Sequence, residues 1–278
     1  MKRLISTIIL IQLTFLNADN YSLSFDGVDD YVDFGDVLDV GTSSFSYAVW
    51  LKMRNLNVSW QQNIISKERS QGGFKFDVQP NTNFLRAIFS VEGNDLVSVY
   101  SNSIEENNWY YVTVVVDRAL SEMSIYLNGE LQSSIVIYDE SYDITNTGCL
   151  RLAHNHWNSS PHGDTGQRAE FMDGLLSDFS FWDKALTPEE INDIMHSSPS
   201  GSENNLLGYW SLGEGIGSEI IDQTDNSNNG TISGATWSTD TPDPPPPPPD
   251  DDNYSLSFDG VDDRVEIPSI NLASEFTI

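Results

Sequence analysis

The side chains best suited to hold a ligand are gathered in one stretch, His154-Asn-His-Trp-Asn-Ser-Ser-Pro-His-Gly-Asp-Thr-Gly166. Trp157 offers an aromatic face to a sugar ring, and Asn155, Asn158 and Asp164 offer partners for its hydroxyls. His154 and His156 stand two apart with His162 close behind, which makes a zinc site conceivable, but the spacing matches no fixed zinc pattern. Trp60, in the polar run Asn57-Val-Ser-Trp-Gln-Gln62, lies in another loop that the fold can bring nearby. The competing reading is a plain polar loop, since loops collect such residues.

Catalytic patterns are missing. Glu105-Glu106 and Glu189-Glu190 are adjacent pairs, which on a strand point to opposite faces. There is no Gly-x-Ser-x-Gly, no phosphate loop and no His-Glu-x-x-His. The expectation is a non-catalytic protein.

The whole-chain charge narrows the partners. With 13 basic and 42 acidic residues the net charge is −29, which repels phosphate backbones and excludes nucleic acid as a natural partner. The same carboxylates are hard oxygen ligands of the kind calcium takes. Cys149 is the only cysteine, so no internal disulfide framework exists. Lys2-Arg3, the apolar run Ile5–Leu16 and the small Ala18 read as a signal peptide over 1–18. No later segment is long and apolar enough to span a bilayer, so a secreted or cell-surface location without membrane insertion is expected.

These residues must be positioned by strands. Period-two alternation runs through Tyr21–Phe25, Tyr31–Phe34, Phe45–Leu51, Gly73–Val78, Leu85–Phe89, Leu96–Tyr100, Trp109–Val116 and Met123–Leu127. Asn128-Gly129 suits a type I′ hairpin turn before a returning strand over 131–138. Thr187-Pro-Glu-Glu190 is an N-cap, a first-turn proline and a capping-box glutamate, which predicts one short surface helix. Many short strands with frequent turns predict an all-β, two-sheet antiparallel jelly-roll sandwich.

The first strand is written twice. Asn20-Tyr-Ser-Leu-Ser-Phe-Asp-Gly-Val-Asp-Asp30 recurs unchanged as Asn253–Asp263. Between the copies, Pro244–Pro249 flanked by aspartates form a stiff, solvated spacer. The expected organisation is a domain over 20–237, a Pro/Asp-rich linker over 238–252, and over 253–278 the N-terminal fragment of a truncated second copy. Further domains of the same polypeptide are expected as partners.

Leu23-Ser-Phe-Asp-Gly-Val-Asp-Asp-Tyr-Val32, the run from Phe171 to Ile191, Gly208–Gly215 and Asn228–Trp237 together resemble the LamG-like (laminin G-like, concanavalin A-like jelly-roll) domains of secreted modular proteins. The resemblance implies a structural Ca²⁺ joining the loop after the first strand, at Asp26, to a closing-strand aspartate, Asp178, with Asp29, Asp30 and Asp173 as outlying candidates. The competing reading is that Asp26-Gly27 is simply a turn. The chain departs from the family's Ile-Asp-Glu-Val, reading Leu176-Ser-Asp-Phe179, so the second acid is lost. Laminarinase-type glucanases of this fold carry Glu-x-Asp-x-x-Glu on one strand, and that pattern is absent. The implied function is an extracellular binding or adhesion module for a glycan or a cell-surface protein. A ligand-free spacer presenting a downstream enzyme or anchor is the alternative, and a degenerate glycoside hydrolase a distant one.

Overall fold

The structure, a computed structural model, describes residues 21–69, 72–91, 94–137, 142–155 and 170–243. The signal peptide, the proline run, the second copy over 253–278, and His156, Trp157, Asn158 and Asp164 lie outside the described residues. Contacts divide the chain into two compact units, 1–245 and 246–278, and every described residue belongs to the first.

Sixteen strands and one helix follow one another along the described residues. The first eight strands are β1 (Ser22–Asp26), β2 (Tyr31–Asp33), β3 (Phe45–Met53), β4 (Gln62–Arg69), β5 (Gly72–Val78), β6 (Phe84–Val91), β7 (Asn94–Ser103) and β8 (Trp109–Asp117). Then come β9 (Glu122–Leu127), β10 (Glu130–Val136), β11 (Arg151–Leu152), β12 (Asp173–Trp182), α1 (Pro188–His196), β13 (Leu206–Trp210), β14 (Glu219–Ile220), β15 (Gly230–Ser233) and β16 (Thr236–Ser238). One sheet runs β10-β9-β8-β3-β12-β1-β16 with β13 also beside β12, and the other runs β14-β15-β2-β11-β4-β5-β6-β7. Every pairing is antiparallel, as the alternation predicts. The hairpin turn has both Asn128 (φ 51) and Gly129 (φ 79) in the left-handed region, which a type I′ turn requires.

The inner faces meet in an aromatic core. Phe45 stacks on Phe181 at 5.7 Å, Phe74 lies 5.4 Å from Phe181, and all three are fully buried or nearly so. Burying each such ring contributes about 1.5–3 kcal/mol. The helix carries the full capping box expected from Thr187 and Glu190. It covers the outer face of the first sheet, where Ile191 packs with Val115, Trp182 and Tyr209, and Met195 packs with Ala48, Trp50 and Tyr111. That cover makes β3 buried on both faces, an outcome that alternation alone does not foresee.

Strand β12 is the hinge of the topology. Its first half pairs with β1 and its second half with β13, and a bulge between Ser177 and Ser180 marks the change. Asp178 sits in that bulge at φ 50. Among the described residues no helix is long and apolar enough to cross a membrane.

Candidate functional site

At one end of the sandwich the loops after β1 and β3 and the approach to β12 enclose a cleft of about 240 Å³. Asp26, Gly27, Asn55, Trp60, Gln62, Phe171 and Asp173 are among its walls. Trp60 is 60% exposed, and nearby Val28, on the β1 loop, is 66% exposed. Of the two, Trp60 belongs to the wall of the cleft.

The β1 loop is held by its own aspartates. The Asp26 amide donates to Asp30 Oδ2 at 2.8 Å, and the Val28 amide donates to Asp26 Oδ1 at 2.8 Å. Gly27 takes φ 78 and lies so close to β12 that a Cβ there would stand 2.9 Å from Asp173 Cβ. A side chain would force the loop off the strand. On the other side Gly234 (φ 81) packs on Asp30, and a Cβ at that position would collide with the Asp30 carboxylate. The glycine of the C-terminal tail is therefore needed to seat the first loop.

The turn reading and the metal reading of Asp26 coexist in this geometry. Carboxylate oxygens of Asp26, Asp29 and Asp30 lie within 4.8 Å of one another, the first two exposed and the third buried. Burial pushes the Asp30 carboxyl above its ordinary pKa. The charges of Asp26 and Asp29 add to this, while the Asp26 amide and Arg54 oppose it. Three carboxylates held this close repel one another, and a hard divalent cation relieves that repulsion, so the donor set fits calcium chemically.

Two expected metal partners are placed elsewhere. Asp173 is opposite Asp26 in the β1–β12 register, but its Oδ1 accepts from Arg54 Nε at 2.8 Å. The expectation that Asp178 shares a site with Asp26 is corrected. Asp178 lies five positions beyond Asp173 along β12, which at about 3.3 Å per residue separates the two by roughly 16 Å.

The sugar-loop expectation is also corrected in part. His154 and Asn155 are 4% and 6% exposed. The His154 ring stacks on Phe171 at 4.2 Å and its Nδ1 lies 3.2 Å from Arg151 Nη1, while Asn155 Oδ1 accepts from Ser66 Oγ at 3.2 Å. Both side chains are drawn into the fold by these partners, so they support Phe171 and β4 and present no surface to a ligand. Trp60 alone, of the described ligand candidates, stands in the open. Cys149 is buried and precedes β11, outside any strand. Burial, with Asp33 adding, pushes its thiol up to about 11, which removes it as a nucleophile.

Three residues that nothing in the sequence singled out hold the cleft together. Arg54 donates to Asp173, to Ser24 Oγ at 2.8 Å and to the Phe25 carbonyl, tying the ends of β1, β3 and β12. Gln62 accepts from the Asp173 amide at 2.7 Å and donates to the Asn55 carbonyl at 2.6 Å. Buried Glu170 accepts from Gln61 Nε2 at 2.9 Å and from Asn63 Nδ2 at 2.6 Å, which fixes the chain on the C-terminal side of Trp60. Burial raises the Glu170 carboxyl above its usual range, with Lys75 and the Asn63 and Asn155 hydrogen bonds opposing and Asp77 adding.

Glu170→Ala is expected to cost about 1–3 kcal/mol, because it strands the buried amide donors of Asn63 and Asn155. Glu170→Gln is expected to be nearly neutral, since Asn63 Oδ1 lacks a partner and a flip of that amide would accept from the new side chain. A carboxyl raised by folding costs stability when ionised, so that cost is relieved as pH falls through its folded pKa. The Gln variant should therefore gain on the parent as pH rises. Thermal melts of the three proteins at several pH values check both statements, and equal losses for Ala and Gln would refute the account.

Comparison with known proteins now bears on this geometry. Residues 26–192 match the laminin G-type family of the concanavalin A-like lectin/glucanases superfamily. Over 118 residues the chain is 28% identical to the non-toxic nonhemagglutinin type A of Clostridium botulinum, a match covering 42% of this chain and 9% of that protein. The chain thus spans about a tenth of the length of the curated relatives it matches. Among solved structures, a candidate carbohydrate-binding protein from Bacteroides ovatus superposes with a TM-score of 0.62 at 19% identity, covering 79% of this chain and 59% of that one. A heptameric SAP-like pentraxin from Limulus polyphemus superposes with a TM-score of 0.52 at 20% identity, covering 64% and 83%. The two-sheet architecture, the capped helix and the match over 26–192 agree: this chain belongs to the concanavalin A-like lectin/glucanases superfamily, as a laminin G-type member.

Proposed function

We propose that the domain is a non-catalytic extracellular binding module that takes a glycan in the cleft beside Trp60. The observation that carries this is the exposed Trp60 ring standing over a wall of aspartate, asparagine and glutamine side chains. An aromatic face for the apolar side of a sugar, with carboxylates and amides for its hydroxyls, is the usual chemistry of sugar recognition. The Bacteroides ovatus protein, a candidate carbohydrate binder, lends support through likeness of fold. The Glu-x-Asp-x-x-Glu pattern of laminarinase-type glucanases is absent from the sequence, so binding without turnover is the function we infer. Export, attachment to further domains and avidity from tandem copies belong to the same reading.

A glycan array probed with the full chain tests it. Trp60→Ala should weaken whatever sugar binds by about thirtyfold, roughly 2 kcal/mol, as a central aromatic contact does. Its melting temperature should not move, because the ring is largely in water. Silence across the array, with calcium present, would favour a spacer with no ligand.

We also propose a calcium ion at Asp26, Asp29 and Asp30, ordering the β1 loop under the cleft. Calcium should raise the melting temperature of chelator-stripped protein. The sign follows from Asp30's raised carboxyl. Without calcium its ionisation costs stability, and that cost fades as pH falls; with calcium the ionised form is required. The calcium-induced shift should therefore shrink as pH is lowered and vanish in Asp30→Asn. Calorimetry showing no heat and no thermal shift at neutral pH would remove the ion.

A further inference from the structure

A second cleft, of about 230 Å³, opens on the outer face of the first sheet beside the end of α1. Trp50 of β3, Tyr21 just before β1, bulged Asp178, Ser211 just after β13 and His196 of α1 face one another across it. It opens at the bulge midway along β12, whereas the Trp60 cleft lies at the first residue of that strand, and the two share no wall residue.

Three features mark it as more than a surface dent. Asp178 is held at φ 50 in the middle of a long strand, a conformation costly for a residue with a side chain unless its surroundings insist on it. They do: its amide donates to the Ser211 carbonyl at 3.0 Å, and the Tyr209 hydroxyl donates to its Oδ1 at 2.6 Å. Ser211 is 5% exposed, and its hydroxyl is buried without a hydrogen-bond partner. A buried hydroxyl left unmade is costly, and at the wall of a cleft it is ready for a ligand. The wall also carries a carboxylate and two aromatic side chains but, among the described residues, no lysine or arginine. The Tyr111 hydroxyl behind the wall is pushed well up by burial, with the Asp178 charge adding.

We propose that this cleft binds an amino sugar, its ammonium group meeting Asp178 and the Trp50 and Tyr21 rings and its hydroxyls meeting Ser211 and His196. A carboxylate with aromatic neighbours is the complement of an ammonium ion, which gains a charge-assisted hydrogen bond and a ring-face attraction together. His196 Nδ1 lies 2.7 Å from the Asn192 carbonyl, so in the neutral ring Nδ1 donates and Nε2 accepts from a hydroxyl. The volume is below the range of extended ligands and suits one ring, so the inferred target is a terminal or single residue with a free amine.

The full chain titrated in chelator with D-glucosamine, N-acetylglucosamine and D-glucose, followed by calorimetry and by amide NMR shifts at residues 177–178 and 211, tests this. Glucosamine should bind saturably and at least tenfold more tightly than the other two. Asp178→Asn should lose at least tenfold with an unchanged melting temperature, because asparagine tolerates the left-handed conformation and accepts from Tyr209. Ser211→Ala should weaken the sugar more than methylammonium, and the amide shifts should gather at residues 177–178 and 211 and spare residues 26–27 and 60, which separates this site from the other cleft. Equal binding of all three sugars, undiminished binding by Asp178→Asn, methylammonium binding as tightly as glucosamine, or calcium taken up at Asp178 with the amines silent would each overturn the proposal.

Discussion

Replacing Trp210 with alanine should cost about 3–5 kcal/mol, the range for deleting a large aromatic side chain from a closed core. The indole is fully buried, stacked on Phe179 at 5.0 Å and 14° and tilted on Phe34 at 4.8 Å. Its Nε1 donates to the Asn228 carbonyl at 2.9 Å, so the variant also removes a tie to the loop after β14. The ring fills the space above Gly208, where any Cβ would collide with it. That contact predicts a non-additive pair. Gly208→Ala should be severe in the parent and mild in Trp210→Ala, since the alanine methyl then enters the space the indole has left. For a domain of this size the single Trp210→Ala loss corresponds to roughly 10 °C in melting temperature. Chemical denaturation of the two single variants and the double variant decides it. A Trp210→Ala loss below about 1.5 kcal/mol, or strictly additive losses, would mean that β13 is not packed as described. Tyr209, next in the strand, holds Asp178, so the same variant should also loosen the cleft beside Asp178.

What could be read in the sequence was whatever local rules dictate. Thr187-Pro-Glu-Glu190 specifies a helix start because the cap, the first-turn proline and the reciprocal glutamate satisfy amide donors within four residues, and the capping box forms as written. Asn128-Gly129 does the same for its turn. Strand β4 was not foreseen, because Gln62-Asn-Ile-Ile-Ser-Lys-Glu-Arg69 reads as polar and charged. Its polar groups are matched only across the fold: Gln62 to Asp173 and Asn55, Asn63 to Glu170, Ser66 to Asn155, Lys67 to Asp36 and to the Gly148 carbonyl. Apart from Asn55, such partners are far away in sequence and leave no periodic trace. The same limit explains the site. Asp26 and Trp60 were visible because turn aspartates and loop tryptophans stand out by type. His154 and Asn155 were taken for surface residues because nothing local shows that Phe171 and Ser66 cover them. The separation of Asp26 from Asp178 was invisible until the register of β1 on β12 placed Asp173 opposite Asp26.

The second large effect lies on β5 and β6, where Asp77 and Arg86 are directly opposed. Asp77 is fully buried, and its carboxylate accepts from Arg86 Nε at 3.1 Å and Nη2 at 2.6 Å and from Gln79 Nε2 at 2.9 Å. Arg86→Met is expected to cost about 3–5 kcal/mol, because it leaves a buried carboxylate without its counter-ion while keeping most of the stem's packing. The charge is felt by its surroundings. It adds to burial in pushing the Tyr47 hydroxyl well up, and it adds to burial at Glu170 beside the Trp60 loop. The pair as a pair should contribute far less than this loss implies. Desolvating two ions cancels much of their attraction, so Arg86→Met combined with Asp77→Leu should return to within about 1 kcal/mol of the parent. Measured by urea denaturation, that rescue separates two explanations of the single-variant loss. If the cost comes from the stranded carboxylate, removing Asp77 repairs it; if it comes from lost packing of the arginine stem, the double variant stays as unstable as Arg86→Met or becomes more so.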